Sequence, residues 1–137
     1  MGEPFPSLKF TSLQGQDYDI ARMKGKVVMV DFWATWCGPC LKEIPNLIAT
    51  YEKYHGDGFE IVGISLDKNK EALQRYIKDK KMPWPEYFDG KEWNNEIGQR
   101  FAVKAIPCSY LIDREGVVRY VSIRGEQLTD AIAKLLK

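Results

Sequence analysis

Two stretches of this chain run apolar almost without a break, Val27-Val28-Met29-Val30-Asp31-Phe32-Trp33 and Phe59 to Ser65. Continuous runs of this length, rich in β-branched residues, predict strands buried on both faces of a parallel sheet. Between them, Cys37 to Tyr54 carries Ile44, Leu47, Ile48 and Tyr51 at helical spacing, with Pro45 placed to bend the helix. Asn69 to Lys80 has the same period through Ala72, Leu73, Tyr76 and Ile77, and its basic residues collect at the C-terminal end, where they complement the helix dipole. Met82-Pro83-Trp84-Pro85 stops it, and Glu92 to Phe101 is expected as one short helix.

The ends of the chain read as β structure and a closing helix. Leu8 to Phe10 and Tyr18 to Ile20 flank a polar turn at Gln14-Gly15-Gln16 and predict a short hairpin. Ser109 to Ile112 and Val117 to Ile123 flank Asp113-Arg114-Glu115-Gly116, a turn with glycine where positive φ is needed, and predict a second hairpin. A final helix carries Leu128, Ile132, Leu135 and Leu136. The order implies an α/β fold: a mixed sheet with parallel strands joined by crossover helices, an antiparallel hairpin, and helices on both faces. With 137 residues, no repeat and no linker between apolar blocks, residues 1–137 are expected to form one domain.

Composition narrows the function classes. A chain that is 45% hydrophobic can build a core without covalent staples, so its three cysteines are not needed as a scaffold. The net charge of +1, with acids and bases interspersed, provides no field suited to nucleic acid or an anionic membrane. No run reaches a transmembrane length, and the start Met1-Gly2-Glu3-Pro4 is not a basic segment followed by an apolar one. The expectation is either a cytoplasmic protein or one whose signal or anchor lies outside this sequence.

The candidate chemistry is Cys37-Gly38-Pro39-Cys40, placed where the first buried strand gives way to a helix. There the first thiol faces unpaired amides and the positive end of the helix dipole, which favour its thiolate, the form that attacks disulfides. The second thiol lies one turn on, close enough to close a ring with the first and expel what it has captured. The alternatives are a metal site or a stapling disulfide. Zinc wants a second ligand pair, whereas here only His55 and a lone third cysteine remain, so no metal and no cofactor is expected. Pro39 suits the first helical turn because its missing amide would be unpaired there anyway.

Val30-Asp31-Phe32-Trp33-Ala34-Thr35-Trp36-Cys37-Gly38-Pro39-Cys40 resembles the thioredoxin active-site signature. Gly2-Glu3-Pro4-Phe5-Pro6, Gly25-Lys26-Val27-Val28, Glu43-Ile44-Pro45, Val62-Gly63-Ile64-Ser65-Leu66-Asp67, Pro83-Trp84-Pro85, Ile106-Pro107 and Leu111-Ile112-Asp113 narrow the resemblance to the TlpA/ResA-like branch. That resemblance implies a thioredoxin fold with a central insertion from Asn69 to Phe101. It also implies a bacterial thiol-disulfide oxidoreductase, exported or membrane-tethered, that keeps protein cysteines reduced. Its partners would be a disulfide-bearing client protein and an upstream thiol reductant, and a monomer is expected.

The resemblance assigns roles by position. Cys37 matches the attacking cysteine and Cys40 the resolving one. Gly-Pro at 38–39 resembles the reducing members, with thioredoxin at about −270 mV. Asp31 matches a buried aspartate, and Glu43 a glutamate, either of which can take the proton that Cys40 must lose; which of them does so stays open. From its spacing alone, Glu43 reads equally as an exposed helix residue. Ile106-Pro107 resembles the cis-proline loop that, with Trp36, Gly38 and Pro39, would receive an extended substrate. Cys108 stands where many relatives carry threonine; it is either an inert buried thiol or a partner in other disulfides or in cluster binding. Trp33 is expected beneath the dithiol and Trp36 beside it; Trp84 and Trp93 read either as part of the same rim or, as isolated tryptophans more often are, as core. A thioredoxin-like peroxidase and a non-catalytic interaction module are the two other classes to separate by experiment.

Overall fold

A computed structural model describes residues 2–137. The strands are β1 (Lys9–Thr11), β2 (Asp17–Asp19), β3 (Val27–Trp33), β4 (Phe59–Ser65), β5 (Glu86–Phe88), β6 (Cys108–Ile112) and β7 (Val118–Val121), and the helices are α1 (Gly38–Tyr54), α2 (Lys70–Lys80), α3 (Glu96–Arg100) and α4 (Gly125–Leu136). Strands β1 and β2 form the expected N-terminal hairpin, and the other five form one mixed sheet in the order β5-β4-β3-β6-β7. β3 lies at its centre, parallel to β4 and antiparallel to β6, and all seven of its residues are buried. Burial on both faces is why this segment shows no polar alternation.

The pleat of β3 sorts its side chains. Met29 and Asp31 face the cavity beside α1, as Cys40 and Glu43 do. Trp33 continues that face, and its ring lies 5.8 Å from Tyr76 of α2. Phe32 points the other way, against Phe101 after α3 and Tyr110 of β6. The alternation therefore delivers one carboxyl, Asp31, beneath the start of α1.

Helix ends follow their local chemistry. Cys37 is the N-cap of α1, and Asn69 caps α2 by accepting from Ala72 N at 3.0 Å. In the β6–β7 turn, Asp113 Oδ1 accepts from Glu115 N at 2.9 Å and Val117 N at 3.0 Å, and Gly116 takes a φ of 85°. Arg114 of this turn donates to the carbonyls of Gly25, Asp57 and Leu136, tying the approach to β3, the loop before β4 and the end of α4 together.

The structure departs from the sequence reading in three places. Glu86–Phe88 is a strand that the sequence does not announce, because two prolines precede it and its first residue is a glutamate. It pairs in parallel at the edge of the sheet, with Gly63 N donating to Pro85 O at 2.9 Å, and an edge tolerates prolines that a central strand would not. The segment Glu92 to Phe101 is two elements rather than one helix: a 3-10 turn at Glu92–Asn94 and then α3. Asn95 divides them by turning its side chain to cap α3, accepting from Gly98 N at 2.9 Å. Trp93 lies on the surface, not in the core.

Candidate active site

The loop between β3 and α1 is held from behind. Asp67, 2% exposed, accepts from Thr35 N at 3.0 Å and Thr35 Oγ1 at 2.6 Å, and its other oxygen accepts from Ser65 Oγ at 2.7 Å. Thus the carboxylate just after β4 fixes the backbone just after β3, and Trp36-Cys37 follow from a rigid anchor. At the helix start, Cys37 Sγ accepts from Cys40 N at 3.2 Å, so the sulfur itself satisfies one of the orphan amides of α1. Cys37 and Cys40 are joined as a disulfide with their Cα atoms 5.2 Å apart. Both sulfur-bearing residues are buried, while Gly38 and Pro39 between them are exposed.

Opposite the dithiol, the Ile106–Pro107 peptide is cis, and the Ile106 carbonyl oxygen lies 3.8 Å from Cys37 Sγ. Cys108 follows at the start of β6, half-buried, and is a free cysteine. Burial raises its thiol pKa, as does the nearby Asp31 carboxyl, against a hydrogen bond with Ser122 that lowers it. A neutral thiol is a poor nucleophile.

Asp31, Cys40, Glu43 and Pro107 line one small cavity of about 20 Å³. That is room for a single water, with carboxyl groups to hold it. Burial, and secondarily the charge of Glu43, push the Asp31 carboxyl up to about 7. Glu43 is engaged elsewhere: its carboxylate accepts from Gly125 N at 2.9 Å and from Asn46 Nδ2 at 2.8 Å. It therefore holds the first turn of α4 as well as facing the cavity, and is not the free exposed helix residue that spacing alone allows.

Two further carboxylates and an asparagine shape the site without a signal that sequence reading used. Glu86 is fully buried and accepts from Trp33 Nε1 at 2.8 Å and Trp84 Nε1 at 3.0 Å. Burial raises its pKa well above the ordinary carboxylate value, and the two indole donors offset only part of that rise. The clue was Trp84-Pro85-Glu86, a lone acid in an apolar setting beside an indole. Asp67 could have been found through its neighbour Ser65, and Asn95 through its place before Glu96 as an N-cap. Trp33 is buried at 1% exposure, with its ring against Tyr76 and its Nε1 on Glu86; Trp84 is buried; Trp36 and Trp93 stand exposed, with ring centroids 5.7 Å apart.

A mixed sheet with helices on both faces, and a CxxC disulfide capping a helix opposite a cis-proline loop, define a thioredoxin-fold thiol-disulfide oxidoreductase. The family model described as AhpC/TSA matches residues 1–121, and the chain belongs to that family. Over 137 residues it is 34% identical to the thiol-disulfide oxidoreductase ResA of Bacillus thuringiensis subsp. konkukian, covering 100% of this chain and 77% of that protein. ResA of Bacillus subtilis is 29% identical over 117 residues, covering 85% of this chain and 64% of the relative. Among solved structures, the thioredoxin domain of a thiol-disulfide oxidoreductase from Bacteroides vulgatus superposes with a TM-score of 0.87 at 29% identity, covering 99% of this chain and 97% of that one. The thiol:disulfide interchange protein of Chlorobium tepidum does so with a TM-score of 0.82 at 26% identity, covering 100% and 98%. The Cys37–Cys40 pair is thus a redox dithiol of a ResA-like enzyme.

Proposed function

We propose that residues 1–137 act as one domain and a monomeric protein disulfide reductase, in which Cys37 attacks and Cys40 resolves. The observation that carries this reading is the position of Cys37 Sγ, which accepts an amide at the N-terminus of α1 while bonded to Cys40. The same amide and helix dipole stabilise a thiolate when the disulfide is open. That thiolate attacks one sulfur of a client disulfide; a Cys37–client bond forms, the client S–S bond breaks, and the departing client thiolate takes a proton from water. Cys40 then gives its proton to Asp31 across the cavity that both line and attacks Cys37 Sγ. The Cys37–Cys40 bond forms and the second client sulfur leaves reduced.

Two electrons pass from the dithiol to the client, and an upstream dithiol returns them by the reverse sequence. Asp31 suits the acceptor role because its carboxyl, raised to about 7, is poised near neutral pH. Burial sets most of that poise and the charge of Glu43 adds to it. Gly38, Pro39 and Trp36 offer the exposed surface, and the backbone of Ile106 before Pro107 offers peptide groups to an extended client. The resemblance to exported members of the branch supports an activity outside the cytoplasm. Among the described residues, no helix is long and apolar enough to cross a membrane.

Trapping tests the reading. Cys40→Ser incubated with oxidised insulin should accumulate a dithiothreitol-sensitive adduct at Cys37, and Cys37→Ser should form none. Turnover by Cys37→Ser would assign the nucleophile elsewhere. Peroxide consumption faster than insulin reduction would move the protein to the peroxidases. A tryptophan-fluorescence redox titration against glutathione that gave a strongly oxidising midpoint would reverse the direction of electron flow.

A further inference from the structure

Trp36, Trp93 and Val121 are the large apolar side chains left exposed among the described residues, and the two indoles stand together. Trp36 is 48% exposed and Trp93 41%, with ring planes tilted by 53°. The other two tryptophans are 1% and 2% exposed, so the fold does bury indoles where it has no other use for them.

Both exposed rings hang from one polar network at the end of β4. Asn95, fully buried, donates from Nδ2 to the Ser65 carbonyl at 3.1 Å, and Ser65 Oγ bonds to Asp67, which clasps Thr35 beside Trp36. On the Trp93 side, Asn95 N donates to Glu92 O at 3.0 Å and Gln99 Nε2 to Trp93 O at 2.6 Å, closing the turn that carries the ring. The backbone that carries each ring is therefore held before any client arrives, so a side chain that packs there loses less ordering entropy.

The dithiol fixes what that side chain is. A polypeptide bonded to Cys37 places its neighbouring residues beside Trp36, the residue just before Cys37 in this chain, because an extended backbone advances only about 3.3 Å per residue. We infer that Trp36 and Trp93 form a preset platform for an aromatic or large aliphatic side chain within two residues of the client's disulfide cysteine. The inference rests on the reductase reading and adds to it a rule for choosing clients.

The test compares two disulfide-linked peptide dimers identical except for Phe or Ser on either side of cysteine, with glutathione disulfide alongside. The reduced enzyme should reduce the Phe peptide with a kcat/KM roughly tenfold above the Ser peptide, the scale of one well-packed aromatic contact. In Trp93→Ala that ratio should fall towards one, and Trp93→Phe should keep most of it. Equal rates for the two peptides in the parent enzyme, or an undiminished ratio in Trp93→Ala, overturn the platform while leaving the reductase standing. Failure to exchange with all three disulfides overturns both.

Discussion

The carboxylate of Glu43 on α1 accepts the backbone amide of Gly125, the first residue of α4, 82 positions away at 2.9 Å. Arg124 at the N-cap provides no side-chain cap, so Glu43 does the capping from another helix. Glu43→Ala should cost about 1–2 kcal/mol, measured by urea unfolding, and Glu43→Gln less, since an amide oxygen still accepts. Either change removes the charge that helps raise Asp31, so the Asp31 carboxyl should titrate lower in a carbon-13 NMR titration.

Asp31 gives stability a pH dependence of defined sign. Its folded pKa of about 7 lies above the ordinary 3.8, so the folded protein holds the proton more tightly than the unfolded chain does. This contribution is full below about pH 4 and is lost as pH rises through about 7, on the order of 4 kcal/mol in all. The raised pKa of Glu86 adds in the same direction. The protein should therefore unfold at lower urea at pH 8 than at pH 5, and Asp31→Asn should narrow the gap. The same variant should release a trapped client through Cys40 about a hundredfold more slowly, read by quenched-flow gels.

Gly63 is required by Glu86. A Cβ at position 63 would collide with both oxygens of the buried Glu86 carboxylate, which cannot withdraw without abandoning two indole donors. Gly63→Ala should destabilise by about 3 kcal/mol. Combined with Glu86→Ala, its added cost should shrink by more than about 1 kcal/mol, a coupling that a double-mutant cycle measures.

Arg114 joins three backbone segments far from the dithiol through the Gly25, Asp57 and Leu136 carbonyls. Arg114→Ala should lower stability by about 2 kcal/mol, because one guanidinium satisfies carbonyls in three backbone segments. Insulin reduction at a temperature where the variant stays folded should be unchanged, since the residue touches nothing at the site.

Much of the site was legible because its signals are local. The WCGPC run between an apolar strand and a helical period placed both cysteines, and the continuous apolar character of Val27–Trp33 made Asp31 stand out as an acid in the core. Ile106-Pro107 was marked by its resemblance to the cis-proline loop, since a proline before a strand has an ordinary reading as well. Glu86–Phe88 stayed hidden, because a three-residue edge strand after two prolines has no periodicity to detect. Asn95 was submerged in a segment that looks helical, and only its caps and the Ser65 carbonyl explain the break.

Sequence alone determined the chemistry: a dithiol at a strand-to-helix junction is written in adjacent residues, and backbone hydrogen bonding turns that order into a sulfur on a helix N-terminus. Tertiary structure alone decided the company this sulfur keeps. Glu43 beneath α4, Glu86 between two indoles and Trp93 beside Trp36 all join residues remote along the chain. Such contacts leave no local period, since they form only when the sheet has ordered its strands and packed its helices.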